Sequence, residues 1–282
     1  MERIWVTGSS GLIGSYILRV CPEVLPQGLV IPLPRCRVDL TKEGEVRDAF
    51  EQDRPTAIIH CAAMSRSPAC QADPQGAQRV NVQATKNLAQ LASEIPFIHF
   101  STDLVFDGKR GNYVEEDSPN PLGVYAETKL QAEQVVLANP KHTVLRTSLN
   151  AGRSATGDRS FVEDMELQWR QGRVLNLFKD EFRCPIPAEQ TARAACLLLQ
   201  HRATGLYHVT GAERLSRYQI GLLVAEMLGI PSTLIRGGTL MDYCGAPRAA
   251  DTSLSSTKFE TLANFALPRF SDWVRNQHEF AR

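Results

Sequence analysis

No apolar run in the 282 residues approaches the ~18–20 that a membrane helix needs, which argues against a spanning segment. Net charge is missing as well. Thirty-one Lys and Arg balance 31 Asp and Glu, which speaks against a basic nucleic-acid binder and a polybasic membrane-surface protein. Lysine itself is scarce, 7 residues beside 24 arginines, and arginine suits forked recognition of carboxylate or phosphate. The cysteines (Cys21, Cys36, Cys61, Cys70, Cys184, Cys196 and Cys244) are odd in number, scattered, and lack any Cys-x-x-Cys. A reducing cytoplasm fits them better than a disulfide framework, and Cys61 and Cys196 read as small core residues. The six histidines show no metal-ligand spacing, so no metal is expected. Met1 to Gly8 has no basic stretch leading into an apolar one and does not read as a signal peptide.

What is present is enough apolar material, 43% of the chain, for a sizeable core and about two domains. The first half alternates β-branched runs with helical patterns. Strands are expected at Arg3 to Thr7, Leu29 to Leu33, Ala57 to Cys61, Pro96 to Ser101 and Thr143 to Thr147. Helices are expected at Leu12 to Cys21, Glu43 to Gln52, Pro74 to Ser93 (Asp73 as its cap) and Tyr125 to Asn139. This alternation predicts an α/β fold, a doubly wound parallel sheet covered on both faces. The second half is less regular, with helices at Ser160 to Gln171, Ala188 to Gln200 and Ser216 to Leu228. Gly205 to Thr210 reads as a further strand of the main sheet. Residues 1–150 then form a nucleotide-binding domain that the chain re-enters at about 186–212. A smaller domain takes 151–185 and 213–282. Arg236 to Thr257, rich in small residues, reads as mobile or as closing over a ligand.

Three motifs carry chemistry. Thr7-Gly8-Ser9-Ser10-Gly11-Leu12-Ile13-Gly14 follows a strand and opens a helix, the context of a dinucleotide fingerprint. Gly8 permits a tight turn, Gly11 lets a pyrophosphate approach, and Gly14 lets helix and strand pack closely. The anion would sit at the helix N-terminus. The same residues also suit an ordinary glycine-rich turn. Tyr125 and Lys129 lie four apart on a helix, hence on one face. An ammonium beside a phenol favours phenolate and lowers the phenol's pKa, which would let the pair exchange a proton with an alcohol or ketone. A surface tyrosine and a solvated lysine is the plain alternative. Ser101-Thr102-Asp103 ends a strand where open α/β sheets bind ligands, and a hydroxyl there can donate to a carbonyl oxygen. The second strand ends Ile31-Pro32-Leu33-Pro34-Arg35 without the acid that NAD specificity usually needs. Arg35 and Arg37 are candidates for a forked contact to a 2′-phosphate, which points to NADPH with NADH as the alternative.

These motifs together resemble the short-chain dehydrogenase/reductase superfamily in its extended, nucleotide-sugar-modifying branch, closest to the dTDP-4-dehydrorhamnose reductases. Further matching stretches are Asp39-Leu40-Thr41, His60-Cys61-Ala62-Ala63, Asn81, Ser101 to Gly108, Glu116-Asp117, Pro119 to Leu122, Arg146-Thr147-Ser148, and a late Arg248 to Lys258 segment. The resemblance implies a Rossmann fold and a reductase with Thr102, Tyr125 and Lys129 as its catalytic triad. It implies cofactor contacts from Gly8, Ser10, Gly11, Leu12, Ile13, Gly14, Arg35, Asp39, Leu40, Cys61, Ala62, Ala63, Tyr125 and Lys129. Substrate contacts would come from Thr102, Asp103, Leu104, Leu149 and Arg248. The implied partner is a small molecule, a nucleotide sugar, with a homodimer as a candidate assembly.

There are departures. Leu104 and Leu149 stand where the rhamnose-forming reductases carry aromatics facing the sugar, so a different carbonyl is expected unless Tyr113 or Phe161 fills that space. Tyr16 stands where some relatives carry an acid linked to a metal. Dehydratases of this branch need an acid at position 104, which Leu104 is not. A non-catalytic, NADP-binding regulatory subunit resembling the methionine adenosyltransferase β-subunit is the remaining alternative.

Overall fold

The computed structural model describes residues 2–245 and 247–277. Six parallel strands form the central sheet: β1 (Arg3–Thr7), β2 (Leu29–Leu33), β3 (Ala57–His60), β4 (Phe97–Thr102), β5 (His142–Thr147) and β6 (Gly205–Val209). Their order is β6-β5-β4-β3-β1-β2. The strands are short; β1 and β3 are mostly apolar, whereas β4 and β5 bury His99, His142 and Arg146 as well, so alternation is muted in the sequence. Side chains still divide by parity. Ile4, Val6 and Ile59 enter one core with helices α1 (Leu12–Val24) and α7 (Ala188–Gln200). Trp5, Ile58 and Phe97 enter the opposite core, under α2 (Glu43–Asp53), a long helix α4 (74–91) and α5 (Val124–Leu137).

The edges are managed. Pro32 sits in the edge strand β2, where a missing N–H is tolerated. At the other edge, Glu115 accepts from the His208 amide at 2.8 Å, and Lys258 Nζ donates to the Leu206 carbonyl at 2.9 Å. These charged side chains occupy groups that would otherwise invite another strand.

Helix α4 has Asp73 as its cap, the carboxylate accepting from the Gly76 amide at 2.8 Å. It carries a π-turn over Gln78–Gln83. A short helix α3 (Ser67–Ala72) precedes it, in a stretch whose small polar residues give no apolar period.

A second core gathers Val162, Met165, Trp169, Leu177, Ile220, Val224 and Phe270. Its helices are α6 (Phe161–Arg170), α8 (Arg217–Leu228) and α10 (Phe270–Arg275). Ser160 with Glu163, and Ser216 with Gln219, form capping boxes that fix where α6 and α8 begin.

The 213–282 stretch, expected in the smaller domain, contributes to both cores. Phe259 on α9 (Thr257–Ala263) and Leu267 belong to the first core, beside α1 and α7. The chain therefore returns to the nucleotide-binding body a second time, because that core's outer rim needs these apolar side chains. The two ends of the Arg236 to Thr257 stretch are tied in: Ile235–Gly238 pairs in parallel with Leu175–Phe178, and Thr252 and Ser253 are buried, while Met241 and Tyr243 are exposed. No helix among the described residues is long and apolar enough to cross a membrane.

Candidate active site

From β1 the chain steps outward to β2 on one side and to β3 on the other, so the connections at the two carboxyl ends diverge and leave a crevice. The crevice widens into a cleft of about 1930 Å³ lined by both bodies. That exceeds the ~300–1,000 Å³ of an ordinary small-molecule pocket and suits a dinucleotide plus a second ligand.

The glycine turn forms one end. Gly8 has φ +62°, and a Cβ there would lie 2.7 Å from the Ala62 amide nitrogen, so both conformation and space exclude other residues. A Cβ on Gly14 would lie 2.3 Å from the Gly8 carbonyl oxygen, which shows how closely α1 presses on the turn. The first turn of α1 holds no acidic residue, so its free N–H groups and positive dipole end face the cleft unneutralised. Ser10, Gly11, Leu12 and Ile13 line the cleft here, with Cys61, Ala62 and Ala63 from the end of β3.

Beyond β2, Arg35, Asp39 and Leu40 also line it. Hydrogen bonds from Thr41 occupy Asp39 and hold its carboxyl below the usual range. The Arg35 side chain is 86% exposed, with Asp39 3.9 Å away. Arg37 does not reach the cleft. Its Nη2 donates to both Asp53 oxygens, at 2.9 and 2.7 Å, because that carboxylate is already held in place by Trp5 Nε1. Of the two arginines considered for a 2′-phosphate, only Arg35 lines the cleft.

Thr102, Tyr125 and Lys129 come together at the ends of β4 and α5. Thr102 shares a hydrogen bond with the Tyr125 phenol. Contrary to the sequence expectation, the phenol's pKa is not lowered by Lys129. Burial pushes it up, the Asp103 carboxylate adds to the rise, and the Thr102 bond only opposes it. The reason is geometric: the Lys129 ammonium donates to His99 Nε2 at 3.0 Å, on the buried face of β4. Burial lowers Lys129 to about 8, opposed by Glu133, whose carboxylate is itself held by Arg146 at 2.7 and 2.9 Å. Burial, with Lys129 and His60 beside it, keeps the His99 ring neutral. It therefore accepts at Nε2.

Asn81 sits in the π-turn. Its amide exchanges hydrogen bonds with Met64 (2.8 and 3.1 Å) and donates to Thr128 Oγ1 at 3.0 Å. The loop after β3 is thereby clamped to the helix carrying Tyr125 and Lys129, in keeping with the frequent placement of π-turns at functional sites.

Leu104 and Leu149 line the cleft, and so does Phe161. Tyr113 does not fill the space. It is buried and stacked on Phe106, with ring centroids 4.1 Å apart. Asp103 is braced rather than free: Ser148 and Thr252 hydroxyls each donate to it at 2.8 Å, and Arg183 Nε lies 3.7 Å away. Arg248 lines the cleft, but its Nε and Nη2 are committed to Glu181, at 2.7 and 2.9 Å. Glu181, Arg183 and Arg217 line the cleft beside it and escaped sequence reasoning. A lone charge in a sequence carries no spacing signal. Among the described residues no cluster of His, Cys, Asp or Glu is arranged to hold a metal ion.

The chain is similar to known proteins along most of its length. The chain is 31% identical over 279 residues to the "Probable low-salt glycan biosynthesis reductase Agl14" of Haloferax volcanii, covering 91% of each. It is 30% identical over 276 residues to "Methionine adenosyltransferase 2 subunit beta" of Rattus norvegicus, covering 93% of this chain and 82% of that one. A dTDP-4-dehydrorhamnose reductase from Bacillus anthracis, solved with NADP, superposes with a TM-score of 0.88 at 21% identity, covering 97% of both chains. The family model described as "RmlD substrate binding domain" matches residues 1–279. With a match over nearly its whole length, the chain belongs to the RmlD substrate-binding-domain family.

Proposed function

We propose that this protein is an NADPH-dependent reductase of a carbonyl on a sugar nucleotide or a related substrate. The observation that carries the reading is the joint placement of Thr102, Tyr125 and Lys129 at the strand ends, in one cleft with the glycine turn. The cofactor fits the residues present. The close approach at Gly8 and Gly14 and the acid-free first turn of α1 form a cradle for a pyrophosphate. The exposed guanidinium of Arg35 suits a 2′-phosphate, and the NADP in the Bacillus anthracis structure supports the same choice.

A bound reduced nicotinamide dinucleotide supplies hydride to the carbonyl carbon. The chain's part is the proton. Tyr125, kept protonated by burial, gives its phenolic hydrogen to the oxygen that becomes the new hydroxyl. The Thr102 hydroxyl steadies that oxygen. Lys129, charged below about pH 8 and turned to His99 rather than to the phenol, would hold the nicotinamide ribose. Leu104 and Leu149 put aliphatic side chains in the cleft where related reductases carry aromatics, and Phe161 is an aromatic that lines the same cleft.

The likeness to a methionine adenosyltransferase subunit favours a second reading, a regulatory chain that binds NADP and a protein partner. Following NADPH oxidation with a panel of keto-sugar nucleotides and simpler carbonyls separates the two. Turnover with any member supports the reductase. Tight NADPH binding without turnover across the panel supports the subunit.

A further inference from the structure

Three arginines and two carboxylates meet at the wall of the cleft where the second body faces the end of β4. Glu181 serves two of the arginines, Arg248 through both its oxygens and Arg183 Nη2 at 2.9 Å. Asp103 lies beside Arg183 Nε and is otherwise filled by hydroxyls. The third arginine, Arg217, is different. Its guanidinium donates to none of the described residues, and its Nη1 is buried. Its backbone amide donates to the Glu181 carbonyl at 2.8 Å.

The charges do not balance: three guanidinium groups face two carboxylates. Arginine stays charged at any ordinary pH, so the excess cation cannot be relieved by losing its proton. Burial and the neighbouring Arg183 and Arg248 both disfavour the Arg217 charge, holding its pKa down at about 10. Proteins seldom leave a buried cation and a buried N–H donor unmatched. Here the mismatch opens on the same cleft that Thr102 lines. Phe161 supplies an aromatic face with its centroid 5.9 Å from the guanidinium carbon.

We propose that Arg217 anchors an oxyanion subsite, held in place by the Arg248–Glu181–Arg183 brace, so that the substrate carries a phosphate or a carboxylate near its reacting carbonyl. This deepens the reductase reading and rests on it only in naming the ligand a substrate. A phosphate would belong to a nucleotide diphosphate and a carboxylate to an acidic sugar.

Calorimetric titration of the whole protein, with and without saturating NADPH, separates these sources. The probes are UDP and TDP for the phosphate and D-glucuronate for the carboxylate. One class binds the wild type. Arg217→Met weakens that class about 10–100-fold, the loss expected for a charge-assisted contact, while Arg217→Lys retains part of it. Binding by the wild type also weakens with added salt. NADPH affinity stays unchanged in both variants, which separates failure here from failure of the reductase reading. Thermal melts guard against misfolding. Without ligand, Arg217→Met melts no lower than wild type, and the bound probe raises only the melting temperature of wild type. Equal affinity in Arg217→Met, or no binding of either probe class by wild type at millimolar concentration, overturns the proposal.

Discussion

A single buried ammonium shows how the chemistry is set residue by residue. Lys129 has His99 as its acceptor, and a neutral ring orients the ammonium without cancelling its charge. A carboxylate in that place would have neutralised it. The one carboxylate nearby, Glu133, is spent on Arg146, while His60 and Cys61 complete the surroundings as uncharged groups. The signs of the pH effects follow. Because Lys129 is lowered from 10.5 to about 8, the unfolded chain holds more protons across that window. The contribution to stability of the cofactor-free protein therefore rises with pH between about 8 and 10.5. NADPH affinity moves the opposite way, highest below pH 8 and falling above it as the charge is lost. A flat affinity profile from pH 7 to 10, read by fluorescence titration, would contradict this. His99→Leu should shift the fall to lower pH and weaken NADPH binding, and His99→Gln, which keeps an acceptor, should restore both. Tyr125→Phe removes only the proton donor. It should leave NADPH binding intact and lower turnover by about 10²–10⁴-fold in steady-state assays.

At the scale of elements, the turn between β1 and α1 is the part read most directly from sequence. A Cβ on Gly14 would meet backbone, not a movable side chain. Gly14→Ala should cost about 1–3 kcal/mol of stability, as overpacked sites do, and loosen NADPH by shifting the pyrophosphate cradle. A denaturant melt and a cofactor titration check both halves. Legibility fell off where local pattern stops determining structure. Helix α7 occupies the span expected of it, and the helices expected to start at Ser160 and Ser216 begin one residue later, with those serines as their caps. The π-turn around Asn81 was invisible, because one extra residue per turn barely disturbs an α-helical period. Two-residue strands such as Phe182–Arg183 leave no pattern at all. Within the site, the Gly8, Ser101 and Tyr125 motifs were readable because their spacing is local. The upward push on the Tyr125 phenol, the His99 contact and the cleft-facing Arg217 depend on burial and on partners more than 20 positions away.

For the molecule as a whole, the decisive feature is the chain's second return. Phe259 and Leu267 complete the core that Ile4, Ile17 and Ala192 begin, and Ser256 Oγ accepts from the Thr210 amide at 3.0 Å just beyond β6. A chain ended at residue 212 would hold all six strands yet leave that core unfilled and the β6 edge uncovered. It should show partial secondary structure, no cooperative melt and rapid proteolysis. A cooperative melt matching that of the full chain would show that the return is dispensable. The same feature sets a timetable during synthesis. Some 110 residues separate the end of β5 from Phe259, and a ribosome adding ~5–20 residues per second needs roughly 6–20 s to make them. Throughout that interval the nascent sheet waits for its last apolar partners with its edge open. The nucleotide-binding half, first to leave the ribosome, is among the last parts to finish folding, and chaperones would meet it in that window.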